Sequence, residues 1–105
     1  MDLSALGSNL GLEEEEFVEL VELFLTTAKN DLRKLHEAYL KKDAEKATES
    51  AHSLKGSSGN LGFKELSKIS TIAEEKASEK NLELFDELIE SMRKHISEIE
   101  ACLGR

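Results

Sequence analysis

No proline occurs anywhere in the 105 residues, and the apolar residues recur at helical spacing along most of the chain. Nothing therefore forbids long helices, and no stretch alternates as a strand would. The longest period runs through Phe17, Leu20, Val21, Phe24, Leu25, Ala28, Leu32, Leu35 and Tyr39 and carries on to Lys42, about 45 Å if straight. Glu13 to Glu16 open it. Consecutive side chains point around a helix, so this run is read as acidic residues at the positive end of the helix dipole and not as a metal site. Thr26-Thr27 and Asn30-Asp31 are weak helix formers and mark a place for a bend.

Three further helices and one short segment follow from the same reasoning. Leu3, Leu6 and Leu10 suit one face of a short N-terminal helix capped by Asp2 and limited by Gly7 and Gly11. Asp43 caps a helix from Ala44 to about Asn60, and Gly62 stops it. A helix from about Lys64 to Ser78 turns Leu66, Ile69, Ile72 and Ala73 inward. Asn81 caps the last, with Leu84, Phe85, Leu88, Ile89, Met92, Ile96, Ile99 and Leu103 inside. Met92 is core filler on this reading. Short connections imply antiparallel neighbours. The expected fold is all-α: one domain over residues 1–105, an up-down-up-down four-helix bundle with a short additional N-terminal helix.

A net charge of −8 argues against a nucleic-acid partner, which needs clustered cations. No apolar run approaches the ~20 residues of a membrane span, and no charged-then-apolar leader is visible. The single Cys102 has no metal-ligand spacing around it, and a reducing cytoplasm is the expected compartment.

The stretch most in need of explanation is Ala51-His52-Ser53-Leu54-Lys55-Gly56-Ser57-Ser58-Gly59-Asn60-Leu61-Gly62. Ala47, Ala51, Leu54, Ser58 and Leu61 form one small, apolar face at i, i+4, i+7, i+11 and i+14. His52, Lys55, Gly56 and Gly59 form another. Two glycines inside a helix cost about 2 kcal/mol relative to alanine. A helix that only had to pack would do better with alanine on its solvent side, so the glycines read as clearance for a surface approaching His52. A flexible Gly-Ser connector is the plain alternative, but the apolar period runs through it. A Walker A loop is excluded, since Lys55 precedes the glycines and no strand precedes Lys55. His36 and His95 lie beside charged neighbours and read as surface histidines.

His52-x-x-Lys55-Gly56-Ser57-Ser58 followed by Leu61-Gly62 resembles the signature of histidine-containing phosphotransfer (HPt) domains of bacterial and plant phosphorelays. Leu61-Gly62-Phe63 is close to the version at the front of chemotaxis-type histidine kinases. The likeness in pattern runs from about Leu20 to about Glu79. It implies the same helical bundle and a phosphoryl carrier: His52 exchanges the group with the aspartate of a response-regulator receiver domain, which brings its own Mg²⁺. A histidine kinase or hybrid kinase is the other partner implied.

In a hairpin turning near Leu61-Gly62, His52 lies level with Ile72 to Glu74. Glu74 is the polar residue able to reach the imidazole, and an ordinary solvated glutamate is the competing reading. HPt domains often carry a hydrogen-bonding residue at this matched position. Chemotaxis-type domains tend to have a second histidine where this chain has Thr71. If Glu74 accepts the Nδ1 proton, Nε2 is left as nucleophile, and Lys55, one turn on, can neutralise phosphoryl oxygens. No cofactor, metal cage or nucleotide motif is expected, so the chain reads as a carrier and not as an enzyme on its own. Two alternatives stand beside this reading. One is a helical adaptor that is never phosphorylated. The other is the dimerisation module of a histidine kinase, where an acidic residue typically follows the histidine in place of Ser53. A metal-binding bundle would need Glu-x-x-His motifs on a pair of facing helices, and no such pair is present.

Overall fold

The structure, a computed structural model, describes residues 2–104. These residues form five helices: α1 (Leu3–Asn9), α2 (Glu14–Leu40), α3 (Ala44–Asn60), α4 (Lys64–Ser78) and α5 (Phe85–Cys102). No strand occurs among the described residues. α2 packs on α3 and α5, and α4 packs on the same two, so four helices close a ring of antiparallel neighbours. α1 rests against α2. No described helix is long and apolar enough to cross a membrane.

Local chemistry sets most of the helix ends. Asp2 Oδ1 accepts the Ala5 N–H at 3.1 Å, and Asp43 Oδ1 accepts the Lys46 N–H at 3.1 Å, each satisfying a donor that the first turn leaves free. Glu16 reaches back to the Glu13 N–H at 3.1 Å, with Glu14 and Glu15 beside it at the positive end of α2. α2 stays helical through its weak formers. Thr27 bonds back to the Leu23 carbonyl at 3.2 Å, and Arg33 holds Asn30 at 2.8 Å. Its 27 residues, about 40 Å at the usual rise, span the 41 Å length of the molecule.

The core is one cluster. Phe17, Val21, Leu35, Leu54, Leu66, Phe85, Met92 and Ile99 are its largest enclosed apolar side chains. Across α3 the inward face is small, with Ala47, Ala51, Leu54 and Ser58 all without exposure. Buried Ser58 is satisfied locally, donating to the Leu54 carbonyl at 2.5 Å.

Several residues expected inside lie outside. Ile72 is 37% exposed, because the inward stripe of α4 runs through Phe63, Leu66, Ser70, Ala73 and Ala77. Ile72 sits one residue, about 100° of rotation, off that stripe. Leu84 is 60% exposed. It precedes α5 in a left-handed conformation, φ 65°, so the helical period that seemed to include it has not yet begun. Asn81 does not cap α5; its side chain accepts the Glu83 N–H at 3.1 Å within the connecting turn. Leu20 and Leu10 are also exposed.

Gly7 was expected to limit α1. It lies inside that helix and is buried. A Cβ there would come within 2.8 Å of the Cβ and Cγ of Phe17, so the missing side chain is what lets α1 settle on α2. Gly7→Ala should therefore destabilise the protein by about 1–3 kcal/mol, the usual range for overpacking, despite the better helix propensity of alanine. Chemical denaturation measures this, and a stability equal to or above the parent's would show that α1 is not seated on Phe17.

Candidate functional site

The site is built where α3 faces α4. The backbones of these two helices lie close together over more of their length than those of any other pair, and their hairpin turns at Gly62, φ 86°, a conformation that favours glycine. Antiparallel register then sets residues at similar distances from the turn side by side. His52 and Glu74 meet in this way, with Nδ1 2.6 Å from Glu74 Oε2. Lys55, one turn along α3, donates to the other oxygen, Oε1, at 2.5 Å. One carboxylate thus serves two donors from the same face of the neighbouring helix.

Exposure divides these groups by role. Glu74 is mostly covered, 20% exposed, and the His52 side chain is 68% exposed. An ionised carboxylate only accepts, so Nδ1 carries the hydrogen and donates to it. Nε2 is then the nitrogen with the free lone pair. The Lys55 hydrogen bond holds the Glu74 carboxyl below its ordinary 4.5, with burial working against it and the His52 hydrogen bond adding to it.

Other site residues divide less cleanly. Gly56 faces open space, with nothing within 4 Å of where a Cβ would be. Gly59 differs: a Cβ would lie 3.3 Å from Ser67 Oγ, so its bareness also serves the approach of α4. Ser67 Oγ itself donates to the Lys55 carbonyl at 3.2 Å, a second tie between the helices. Thr71 is spent on its own helix, donating to the Ser67 carbonyl at 2.9 Å. Lys55, expected free for phosphate, is tied to Glu74 in this state. His36 lies away from the site on α2, and His95 on α5 has Nδ1 2.8 Å from the Ser91 carbonyl. Among the described residues no group of three or more His, Cys, Asp or Glu is arranged to hold a metal ion.

The model of the Hpt domain family matches residues 19–102. The chain belongs to that family. The crystal structure of histidine-containing phosphotransfer protein B from Pseudomonas aeruginosa PAO1 is similar over 99% of this chain and 90% of that one, with a TM-score of 0.86 and 30% identity. No curated protein matches the sequence significantly. Hpt domains relay phosphoryl groups between kinases and response regulators, and this Hpt chain is a phosphorelay carrier.

One polar pair at the edge of the site escaped the reading of the sequence. Asp31 of α2, only 7% exposed, accepts the Ser53 hydroxyl at 2.5 Å. The signal was present: Phe24, Ala28, Asp31, Leu35 and Ala38 lie on one inward stripe, with a carboxylate at an apolar place.

The depressed pKa of Glu74 has a consequence for stability. A carboxyl held lower in the folded than in the unfolded chain stabilises the fold above its unfolded value, and that contribution is lost as pH falls through its folded value. Glu74→Gln lacks the contribution. The stability gap between parent and variant should therefore narrow as pH falls below 4.5. Urea melts of both proteins measure it, and a gap that stays constant down to about pH 2 would contradict the pairing.

Proposed function

We propose that His52 is the phosphoryl acceptor of this carrier and that it exchanges the group through Nε2 with the aspartate of a response-regulator receiver domain. The observation that supports this most directly is the 2.6 Å contact between Nδ1 and Glu74 on an exposed ring. The Nε2 lone pair attacks phosphorus of the aspartyl phosphate. The N–P bond forms as the P–O bond to the aspartate breaks, and the carboxylate leaves with the bonding pair. Nδ1 keeps its proton, and the positive charge that develops on the ring faces Glu74. Lys55 then exchanges its bond to Glu74 for one to the phosphoryl oxygens, which now carry the larger negative charge. The reverse steps return the group.

The receiver supplies Mg²⁺ and the aspartate, and a histidine kinase or hybrid kinase stands elsewhere in the relay. The clearance over Gly56 suits a receiver surface, and Gly59 extends it along the same face. The cytoplasm fits a chain with a single cysteine, which has no second cysteine in the chain to bridge to. The dimerisation-module reading fits poorly, because such a two-helix hairpin needs a second chain to complete its core, whereas α2 to α5 close their own. A purely structural adaptor leaves the exposed imidazole, its carboxylate and the open Gly56 without a purpose.

Incubation with phosphorylated receiver domains from the same genome tests the proposal. Label on this chain should be acid-labile and base-stable, absent in His52→Gln and retained in His36→Gln and His95→Gln. Full labelling of His52→Gln would overturn the assignment. The docking face has its own test in Gly56→Gln. Stability should stay within roughly 1 kcal/mol of the parent, since a Cβ at this exposed position meets nothing within 4 Å. Transfer should slow, by up to about a hundredfold if the partner is held back by about 1 Å. A parental transfer rate would place the receiver elsewhere.

A further inference from the structure

α3 carries His52, yet its inward face has little to hold it in rotation. Ala47, Ser50, Ala51, Leu54 and Ser58 face the core, and only Leu54 is a large side chain. Small side chains allow close approach, but ridges made of them interlock weakly with a neighbour's grooves. The roll of α3 about its own axis therefore needs another constraint. It matters for the relay: a ring about 6 Å from the helix axis moves about 1 Å when the helix rolls by about 10°.

Polar bonds on both flanks supply that constraint. On the α4 flank, Glu74 holds His52 and Lys55, and Ser67 holds the Lys55 carbonyl. On the α2 flank, Ser53 donates to Asp31 at 2.5 Å. Ser53 follows His52 directly, so this bond acts within one residue of the ring. Asp31 is the only charged side chain among the buried residues described. An apolar residue at this inward position would serve stability as well or better, because a buried carboxylate must offset its own desolvation. Its presence points to a role in specifying geometry.

We propose that Asp31 is a positioning residue: through Ser53 it fixes the roll of α3 and so aims His52 at the incoming phosphoryl group. This rests on the reading of His52 as acceptor, and the two can fail separately. A bulky, oriented donor is sensitive to aim, whereas a small, freely tumbling one is not.

The test compares two donors on Ser53→Ala, Asp31→Ala, Asp31→Asn and the double variant Asp31→Ala/Ser53→Ala. One donor is a phosphorylated receiver domain that exchanges with the parent chain. The other is phosphoramidate, a small molecule able to phosphorylate imidazole directly. Ser53→Ala and Asp31→Ala should each slow transfer from the receiver by about tenfold or more, while phosphoramidate labels His52 at the parental rate. Asp31→Asn, whose amide oxygen still accepts the hydroxyl, should recover most of the receiver rate. The double variant should be no slower than the slower single one, since both remove the same bond. Parental receiver rates in Ser53→Ala would overturn the proposal, as would equal slowing with both donors or an Asp31→Asn as slow as Asp31→Ala. Should Asp31→Ala fail to fold, the surface change Ser53→Ala decides alone. If phosphoramidate labels the parent but not at His52, the acceptor reading fails first.

Discussion

The site depends on one carboxylate. Glu74 stands between α3 and α4 and takes a hydrogen bond from His52 on one oxygen and from Lys55 on the other. In the proposed mechanism that arrangement does three things at once. It orients the ring, it selects which ring nitrogen carries hydrogen, and it keeps the Lys55 ammonium one turn from the imidazole in reserve. On that proposal a lysine held by a weakly exposed carboxylate is placed without being consumed, because a phosphoryl group would offer it a stronger partner. The rest of the fold can be understood as what makes this contact possible: a tight turn at Gly62, a small-residue face that lets α3 lie close, and a register that brings positions 52 and 74 level.

Bare positions in this chain have different meanings, and only neighbours tell them apart. Gly7 is bare because Phe17 fills the space, Gly59 partly because Ser67 comes near, and Gly56 faces nothing within the chain. Gly7 belongs to packing, and Gly59 does so in part. Gly56 gains the protein no contact and lowers helix propensity, which supports the proposal that its absent side chain makes room for a partner. The same distinction applies to buried polar groups. Ser58 and Ser70 bond within their own helices, whereas Asp31 and Ser53 join two helices.

Much of this was legible in the amino-acid order. Proline-free periods set the helices, and the ends of α3 and α4 fell where Asp43, Gly62 and the phase of the apolar residues put them. Glu74 could be found because a two-helix hairpin obeys simple arithmetic about its turn. Periodicity failed where its premise did. Leu84 looks in phase but sits in a left-handed turn before the helix starts, and Ile72 is apolar but one step off the stripe that its neighbours define. Asp31 was passed over because a carboxylate on an apolar stripe reads as a poor helix former until its partner, 22 positions away, is seen beside it. The tie of Lys55 to Glu74 was equally hidden, since a lysine one turn from a histidine suggests phosphate before it suggests a carboxylate across the helix pair.

Transfer through His52 turns on the protonation of a single ring. Nitrogen-15 spectra of the His52 imidazole in the unphosphorylated protein, at a pH where the ring is neutral, read this directly. The contact with Glu74 predicts the form with hydrogen on Nδ1 and a bare Nε2, and after phosphorylation a phosphorus–nitrogen coupling at Nε2. A ring that carries its hydrogen on Nε2, or phosphorus found on Nδ1, would contradict it.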